Sequence, residues 1–305
     1  MMRLASPLVL RHDTAVHPSR VVVLGTRGFV ASHTIAHLNA LGMHVEGIPS
    51  ADVDLVQPAS IALLKQRLRP DDVLVFVSAL TPDRGRDVAT LMLNLQMAQH
   101  VGAALAESPC AHVVYIGSDA IYADDDTLVN ERSPGNPSSL HGLMHLARER
   151  MLHESLQASD TPLVCLRPSL LYGPGDTHNG YGPNRFLRTA AAEGRIALFG
   201  GGEEKRDHVF VTDLAKVIGL AVHYRSEGAL NVATGVSSSF AEVAACIAAQ
   251  GGSGVGVEHR ARGAGPITHR HFDITVMQKT WPHFRYTPLA DGIRASWPTN
   301  DAGRG

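Results

Sequence analysis

Arg20-Val21-Val22-Val23-Leu24-Gly25-Thr26-Arg27-Gly28-Phe29-Val30-Ala31 is the stretch that decides the fold. Residues 20–24 form a short aliphatic, β-branched run, which is typical of a buried parallel strand. A glycine-containing turn follows, and a helical pattern then runs over residues 29–41. Glycine lets the backbone approach a pyrophosphate closely, and the free N–H groups of a helix N-terminus attract anions. The stretch therefore predicts a strand–turn–helix unit that binds a dinucleotide.

The same alternation of strand and helix continues along the chain. Further strands are predicted at 45–48, 73–77, 113–116 and 163–166, and helices at 61–68, 88–106 and 139–158. This order predicts an α/β fold with a doubly wound parallel (Rossmann) sheet and a smaller C-terminal substrate domain. The predicted parts are a flexible N-terminal tail (1–19), a dinucleotide-binding Rossmann domain (20–172, with 207–234 returning to it) and a substrate-binding domain (173–206 and 235–305).

Bulk composition limits the classes of partner. The 305 residues are 44% hydrophobic, carry a formal net charge of −2 and include three cysteines. A near-neutral chain argues against nucleic acid or a membrane surface as a partner. No stretch approaches the roughly 20 apolar residues that a membrane-spanning helix needs. The cysteine spacing indicates neither a disulfide framework nor a metal site, so we expect a cytoplasmic protein without a structural metal.

Two segments carry the strongest indication of chemistry. Residues 118–122 read Ser-Asp-Ala-Ile-Tyr directly after a predicted strand, and residues 137–149 form the start of a helix that holds His141 and His145. These segments resemble the catalytic region of the extended short-chain dehydrogenases/reductases, the NAD-dependent epimerase/dehydratase family. In that family a tyrosine and a lysine stand where His141 and His145 stand here. Four residues is about one helical turn, so both imidazoles should lie on one helix face.

The resemblance implies catalytic roles for Ser118, His141 and His145. Ser118 would polarise the substrate oxygen, His141 would act as general acid/base, and His145 would support the cofactor ribose or relay a proton. Histidine titrates near neutrality without a neighbouring cation, so losing lysine together with tyrosine is chemically coherent. Two alternatives stay open: Ser118 as a turn cap, and a degraded site in which both histidines only fill space. A His-x-x-x-His zinc site is the third reading, for which no further ligand is positioned.

The resemblance also implies cofactor contacts. We expect them from the loop residues Gly25, Thr26, Arg27, Gly28, Phe29 and Val30, then from Asp54, Leu55, Ser78, Ala79, Leu80, His145, Pro168 and Leu170. No acidic residue ends the second strand, where Pro49 and Ser50 stand, whereas Arg27 can pair with a 2′-phosphate. NADP(H) is therefore favoured over NAD(H), unless Arg27 is a solvated loop residue.

Substrate contacts are expected in the second domain. Polar and aromatic side chains after residue 172 suit a sugar, and a glycine-rich segment before Arg206 resembles the family's nucleotide-sugar clamp. Candidate substrate residues are Asp119, His178, Tyr181, Asn184, Arg185 and Arg206. Arg206 with Asp207 could equally form a structural ion pair.

The resemblance implies a homodimer built on the helices that carry Leu91, Leu95, Leu143, Leu146 and Met151, positions that would also serve as core. The leading interpretation is an NAD(P)-dependent oxidoreductase or epimerase that acts by hydride transfer on a nucleotide-activated sugar, with an atypical histidine acid/base. The alternatives are a ketoreductase of a non-sugar metabolite, in which the substrate supplies the proton, and a non-catalytic NAD(P)-binding sensor.

Overall fold

The computed structural model describes residues 8–124, 128–176 and 178–297. The strands are β1 (Val9–Leu10), β2 (Arg20–Leu24), β3 (Val45–Ile48), β4 (Asp72–Phe76), β5 (His112–Ile116), β6 (Leu128–Val129), β7 (Leu163–Pro168), β8 (Leu170–Tyr172), β9 (Arg195–Phe199), β10 (Lys205–Phe210), β11 (Ser226–Val232), β12 (Ser237–Ser239), β13 (Gly256–Arg260) and β14 (His271–Phe272). The helices are α1 (Phe29–Ala40), α2 (Ser60–Arg67), α3 (Val88–Glu107), α4 (Leu140–Leu156), α5 (Pro183–Glu193), α6 (Val211–His223), α7 (Phe240–Gly251), α8 (Thr275–Thr280) and α9 (Leu289–Ser296).

A large parallel sheet forms the centre of the molecule. Within the described ranges its strand order is β1-β11-β7-β5-β4-β2-β3, and only β1 runs antiparallel to its neighbour. From β2 the chain passes to β3 on one side and to β4 on the other, so the order reverses between β2 and β4. Ligands of such sheets bind outside the carboxyl ends of the strands at this reversal. The fold class predicted from the sequence is confirmed.

Two apolar layers cover the sheet. One face packs on α1 and α6 through residues such as Leu38 and Ile218, and the other packs on α2, α3 and α4 through residues such as Leu64 and Leu105. Every residue of β2, β4 and β5 is buried. Strands buried on both faces read as continuous hydrophobic runs, which is why these strands were visible in the sequence.

A smaller apolar cluster organises the second part of the molecule. It joins α5, α7, α9 and β9 around buried side chains that include Phe186, Leu198, Val243 and Ile293. Beside it lie a three-stranded sheet of order β12-β10-β8 and two short pairs, β13-β9 and β14-β6. The small sheet is joined to the carboxyl end of β7, because β8 follows β7 directly in the chain.

The structure differs from the predicted domain boundaries in three places. Residues 9–17 are attached rather than loose, because β1 pairs with β11 and the Val16 N–H donates to the His223 carbonyl. The predicted return of residues 207–234 starts later, at α6, since β10 joins the small sheet. Met277 and Trp281 pack into the main-sheet core. The rest of the expected tail (1–7) and of the second domain (298–305) lies outside the described residues.

Candidate active site

The turn between β2 and α1 has the geometry of a phosphate-binding loop. Gly25 has φ +89°, and a Cβ on it would lie 2.7 Å from the Ser78 hydroxyl, so only glycine fits. Gly28 precedes α1 without a capping side chain, and the first turn of α1 holds no acidic residue. The N–H groups of that turn are therefore free for an anion, and the residues present fit a dinucleotide pyrophosphate.

The other residues of this loop differ in their contacts and exposure. The Thr26 methyl group lies where a Cβ on Gly47 of β3 would be, which brings the loop close to β3. Phe29 and Val30 are half-buried. Arg27 is exposed and makes no hydrogen bond or ion pair within the part of the chain that the structure describes. No carboxylate follows β3 directly, since Pro49 and Ser50 stand there.

The remaining expected cofactor residues lie at the ends of successive strands. Asp54 accepts a hydrogen bond from the Val56 N–H, and Leu55 is buried. After β4, Asn94 of α3 holds Leu80 by accepting from its N–H and donating to its carbonyl, at 2.9 and 3.0 Å. Sequence reasoning missed Asn94, whose only signal was a polar residue on an apolar helix face.

Further expected cofactor contacts fall on either side of the junction between β7 and β8. Pro168 ends β7, and Leu170 begins β8 and packs into the smaller apolar cluster. Ala79, between Ser78 and Leu80, is half-buried.

Ser118 caps the 3₁₀ turn Asp119–Ile121, because its hydroxyl accepts from the Ala120 N–H at 3.1 Å. The cap weighed from the sequence is therefore present, although the half-buried hydroxyl stays at the carboxyl end of β5. The first turn of α4 packs directly on this 3₁₀ turn: a Cβ on Gly142 would lie 2.0 Å from the Ala120 carbonyl oxygen. Ser118 and the start of α4 are thus held together by a contact that tolerates no side chain.

His141 and His145 lie on one face of α4, as their spacing predicts. Their ring centroids are 4.7 Å apart in an edge-to-face arrangement. His141 is half-buried, whereas His145 is 5% exposed. Nδ1 of His145 lies 2.8 Å from the hydroxyl of Tyr115, which is fully buried in β5. Sequence reasoning missed Tyr115, because a tyrosine inside an apolar strand reads as core.

Electrostatics hold both imidazoles neutral at pH 7. Burial, reinforced by His178, Arg148 and Arg86, lowers the pKa of His141 to about 4. Burial, followed by the charges of His141 and Arg148, keeps the pKa of His145 well below its usual range. Burial raises the pKa of Tyr115, so the phenol keeps its proton. A neutral phenol and a neutral imidazole therefore share one hydrogen bond, between the Tyr115 hydroxyl and Nδ1 of His145.

A cavity of about 290 Å³ opens onto His141. Its walls come from α3, from the loop before α3 and from the start of α4, and include Arg86, Asn94 and Met144. His178, from the second part of the molecule, also lines this cavity and lies 3.4 Å from Asp83 of the loop. His178 is therefore brought to His141, as expected of a substrate residue.

The other expected substrate residues divide into two groups. Asn184 and Tyr181 are already engaged: Asn184 accepts from the Gly173 N–H and donates to Asp176, and the Tyr181 hydroxyl accepts from the Phe199 N–H. Tyr181 also packs against Phe240 with ring centroids 4.7 Å apart. These contacts shape the second part of the molecule. Arg185 is half-buried and makes no hydrogen bond or ion pair within the described ranges.

Arg206 does not pair with Asp207, which rules out the ion pair considered from the sequence. Its guanidinium donates to the carbonyl and hydroxyl oxygens of Thr268, at 2.8 and 2.9 Å. The Asp207 carboxylate accepts instead from Thr234 and Gly235.

Asp119 is half-buried, and the partial loss of solvent raises the pKa of its carboxyl group, which lies 3.6 Å from Arg270. Arg270 is a further cation near Asp119, and the sequence analysis did not predict it. It is 4% exposed and donates to the carbonyls of Asp119 and Ala123 and to the carboxylate of Asp124.

Two further findings concern metals and membranes. In the ranges that the structure covers, no three His, Cys, Asp or Glu side chains come together as a metal ion would require. Among the same residues no helix combines the length and apolar character of a membrane span.

A doubly wound sheet with a glycine-lined anion loop at its reversal point defines a dinucleotide-binding α/β protein. Residues 21–233 match the sequence profile described as the NAD dependent epimerase/dehydratase family. The chain belongs to this family, whose members are enzymes of the extended short-chain dehydrogenase/reductase type. The resemblance stated from the sequence is confirmed.

Individual relatives are distant. An uncharacterized UDP-glucose epimerase of Bacillus subtilis is 23% identical, covering 90% of this chain and 95% of that protein. An ADP-L-glycero-D-manno-heptose-6-epimerase of Cupriavidus pinatubonensis is 25% identical over 74% of this chain and 76% of its own length.

Solved structures agree on the fold. The UDP-glucose 4-epimerase of Thermus thermophilus in complex with NAD gives a TM-score of 0.78 at 22% identity, covering 91% of this chain and 97% of its own. A UDP-N-acetylglucosamine 4-epimerase of Methanobrevibacter ruminantium in complex with UDP-N-acetylmuramic acid gives 0.80 at 20% identity, covering 92% and 97%.

Proposed function

We propose that the protein transfers hydride at a carbinol or carbonyl carbon of a nucleotide-activated sugar, with His141 as the proton acceptor and donor. The main observation behind this proposal is the arrangement of three side chains. His141 lines a cavity, the ring of His145 packs edge-to-face against that of His141, and the Tyr115 hydroxyl is hydrogen-bonded to the ring of His145. A neutral imidazole beside a bound hydroxyl is a competent general base. Ser118, beside the first turn of α4, would donate to the reacting oxygen.

A dinucleotide, when bound at the turn after β2, supplies the hydride acceptor. The turn and the N-terminus of α1 would hold its pyrophosphate, and residues 78–80 would line its inner ribose. Arg27, exposed and without a partner, supports NADP(H). Solved relatives carry NAD, which supports NAD(H). We propose NAD(H), since one exposed arginine is weaker support than the NAD found in solved relatives. Titration calorimetry with both dinucleotides tests this choice.

The nucleotide-sugar assignment is supported by the relatives and by free cations on the second part of the molecule. Two further solved structures of this fold, both of MoeE5, are complexes with NAD and either UDP-glucose or UDP-glucuronic acid. In this chain Arg185 has no partner among the described residues, and Arg206 is held only by neutral oxygens: the carbonyls of Lys205 and Thr268 and the Thr268 hydroxyl. Both guanidinium groups are available to a diphosphate.

Replacing His141 tests the chemistry. His141→Phe fills the same space without a titratable group, so we expect kcat to fall at least about 100-fold, the usual size of a general acid/base contribution. Arg150→Ala, at an exposed position on the same helix, is the control and should keep kcat. The assay follows reduced dinucleotide and sugar product across a panel of nucleotide sugars. Unchanged kcat in His141→Phe would exclude His141 as the acid/base.

The same panel separates the alternatives. Turnover of a non-sugar ketone but of no nucleotide sugar would favour a ketoreductase in which the substrate supplies the proton. Dinucleotide binding without any turnover would favour a sensor. Arg185 and Arg206 support the sugar reading, because neither is neutralised by a carboxylate of the described residues and a diphosphate could pair with both.

We also propose a homodimer in a reducing, cytoplasmic setting. The three cysteines are unpaired, and α3 and α4 expose the apolar side chains of Met92, Leu93 and Leu143. Leu91, Leu95, Leu146 and Met151 are half-buried and border this surface. Leu143→Glu should lower the mass measured by light scattering from that of a dimer to that of a monomer, whereas Val236→Glu, exposed elsewhere, should not. A monomeric wild-type protein would contradict this proposal.

A further inference from the structure

Arg148 of α4 is a buried cation without a counter-charge. Its side chain is fully buried, and within the described ranges it forms no ion pair. Taking a guanidinium out of water is costly unless a carboxylate compensates it. The neighbouring Glu149 does not do so, because both its oxygens bind Arg167, at 2.9 and 2.7 Å.

Neutral groups hold the Arg148 guanidinium in place. Nη2 donates to the Ser78 carbonyl oxygen at 2.8 Å, and the guanidinium carbon lies 4.3 Å from the centre of the Phe76 ring and 5.4 Å from that of Tyr115. Nη1 lies 3.8 Å from the Met144 sulfur, and Nε has no partner. Ring faces and a carbonyl fix the position of the charge without cancelling it.

The position of this charge relates it to the two histidines. Residues 141, 145 and 148 are four and three apart, so they form one column along the same face of α4. Tyr115 joins the column from β5: its hydroxyl contacts His145, and its ring lies under the guanidinium of Arg148. A fixed positive charge therefore stands about one helical turn from His145 and two turns from His141, and its burial strengthens its interaction with both rings.

We propose that Arg148 is a positioning residue: a fixed cation on the histidine face of α4 that holds His141 and His145 in their neutral forms. His141 then starts the reaction as a proton acceptor: a ring nitrogen takes the hydroxyl proton of the substrate and becomes imidazolium. This last step rests on the proposed function, whereas the effect of Arg148 on the imidazoles does not.

Other charged groups near the column do not substitute for Arg148. His178 and Arg86 face His141 across the cavity and also lower its pKa, His178 more than Arg148, but only Arg148 acts on both His141 and His145. Asp87 is committed to capping α3, and Asp83 contacts His178. Coulombic repulsion by Arg148 contributes to the lowered pKa of both histidines, in addition to burial.

Titration of the histidine rings in the dinucleotide-free protein tests the proposal without requiring turnover. Ring ¹⁵N shifts of His141 and His145 are followed by NMR from pH 8 to pH 4. In Arg148→Met the midpoint for His141 should rise by about one pH unit, because a nearby charge shifts a pKa by roughly that amount or more. Arg148→Lys should stay near the wild type. Arg150→Met, on the exposed side of α4, is the matched control and should change nothing.

The variants also decide between an electrostatic and a merely structural role. Arg148→Gln can still donate to the Ser78 carbonyl but carries no charge, so it should reproduce the shift seen in Arg148→Met. If the enzyme turns over, the acid limb of its kcat/KM profile should move upward by the same amount. Unchanged midpoints in folded Arg148→Met or Arg148→Gln would overturn the proposal, as would failure of both neutral variants to fold while Arg148→Lys folds.

Discussion

The two histidines of α4 have different environments, and the difference assigns them different tasks. His141 borders a cavity and can meet a substrate, whereas His145 is buried and has its Nδ1 bound by Tyr115. A ring that is enclosed and hydrogen-bonded orients its neighbour instead of reacting. The tyrosine–lysine pair of the family is thus replaced by a pair with one reacting ring and one supporting ring.

Tyr115→Phe removes the hydroxyl that fixes the His145 ring and leaves the packing almost unchanged. We expect kcat to fall about 3- to 10-fold with KM retained, and the free energy of unfolding to fall by about 1 kcal/mol, the usual value of one hydrogen bond. Steady-state kinetics and urea unfolding measure the two effects. A drop in stability without any change in kcat would limit Tyr115 to a structural role.

At the scale of single residues, the sequence predicted where a side chain lies on its helix or strand better than which side chains it contacts. The spacing of His141 and His145 fixes their common helix face, and the place of Ser118 after a strand fixes its edge of the sheet. The contacts of Tyr115, Arg148 and Asn94 depend on neighbours far along the chain, at separations of 30, 70 and 14 residues. No local pattern encodes such pairings, so an apolar strand position or a helix arginine gives no sign of them.

Two features of the turn after β2 favour glycine at position 25: a positive φ angle and the close approach of Ser78. Both Gly25 (φ +89°) and Gly42 (φ +77°) occupy the left-handed region, but a Cβ on Gly42 would meet nothing within 4 Å. Each Gly→Ala change should therefore cost about 1–2 kcal/mol of stability from the backbone alone. Only Gly25→Ala should also displace Ser78 and weaken dinucleotide binding at least about tenfold, or 1.4 kcal/mol.

Calorimetric titration with dinucleotide, beside urea unfolding of both variants, checks this pair. Equal losses of affinity in Gly25→Ala and Gly42→Ala would mean that the turn after β2 is not the phosphate site. Gly42→Ala thus controls for strain, which a comparison with the wild type alone would not do.

Elements of the main sheet were predictable because their patterns are local. Strands 20–24 and 45–48 agree with the structure at both ends, and the helix predicted at 88–106 is found as Val88–Glu107. The small strands β6, β8, β12 and β14 have two or three residues each, too few to show a period. Their pairing is set by the folded surroundings, which also explains why the boundary at residue 207 was misplaced.

Taken as a whole, the molecule keeps several histidines neutral in its interior, and this makes its stability depend on pH. Burial lowers the pKa of His112 to about 3 and, with the nearby Arg206, that of His208 to about 4, and that of His141 is lowered to about 4 as well. In the unfolded chain these groups titrate near 6.5. Between pH 6.5 and 4 the unfolded state therefore binds protons that the folded state excludes, so stability falls as the pH falls.

Asp207 has the opposite effect on the pH dependence of stability, but the buried histidines outnumber such groups. Burial raises the pKa of its carboxyl group to about 6, so between pH 6 and 3.8 the folded state binds a proton that the unfolded chain releases. Burial raises the carboxyl pKa of Asp119, Glu131 and Asp176 as well, but among the described residues these four carboxyl groups oppose seven imidazoles whose pKa is lowered. The urea midpoint should accordingly be highest above pH 6.5 and fall steadily toward pH 4.

His112→Gln isolates one contribution. His112 is fully buried in β5, and its Nε2 lies 2.7 Å from the Ser226 carbonyl oxygen, to which a glutamine amide can still donate. Removing this titratable group should reduce the loss of stability below pH 6.5 by about 1.4 kcal/mol for each pH unit down to the folded-state pKa. His44→Gln, at an exposed position, should leave the pH dependence as it is in the wild type. Urea unfolding at pH 7.5, 6.0 and 5.0 compares the three proteins. Parallel pH curves for His112→Gln and the wild type would mean that His112 takes up its proton as readily in the folded protein as in the unfolded chain, and the buried imidazoles would then not set the acid limit of the fold.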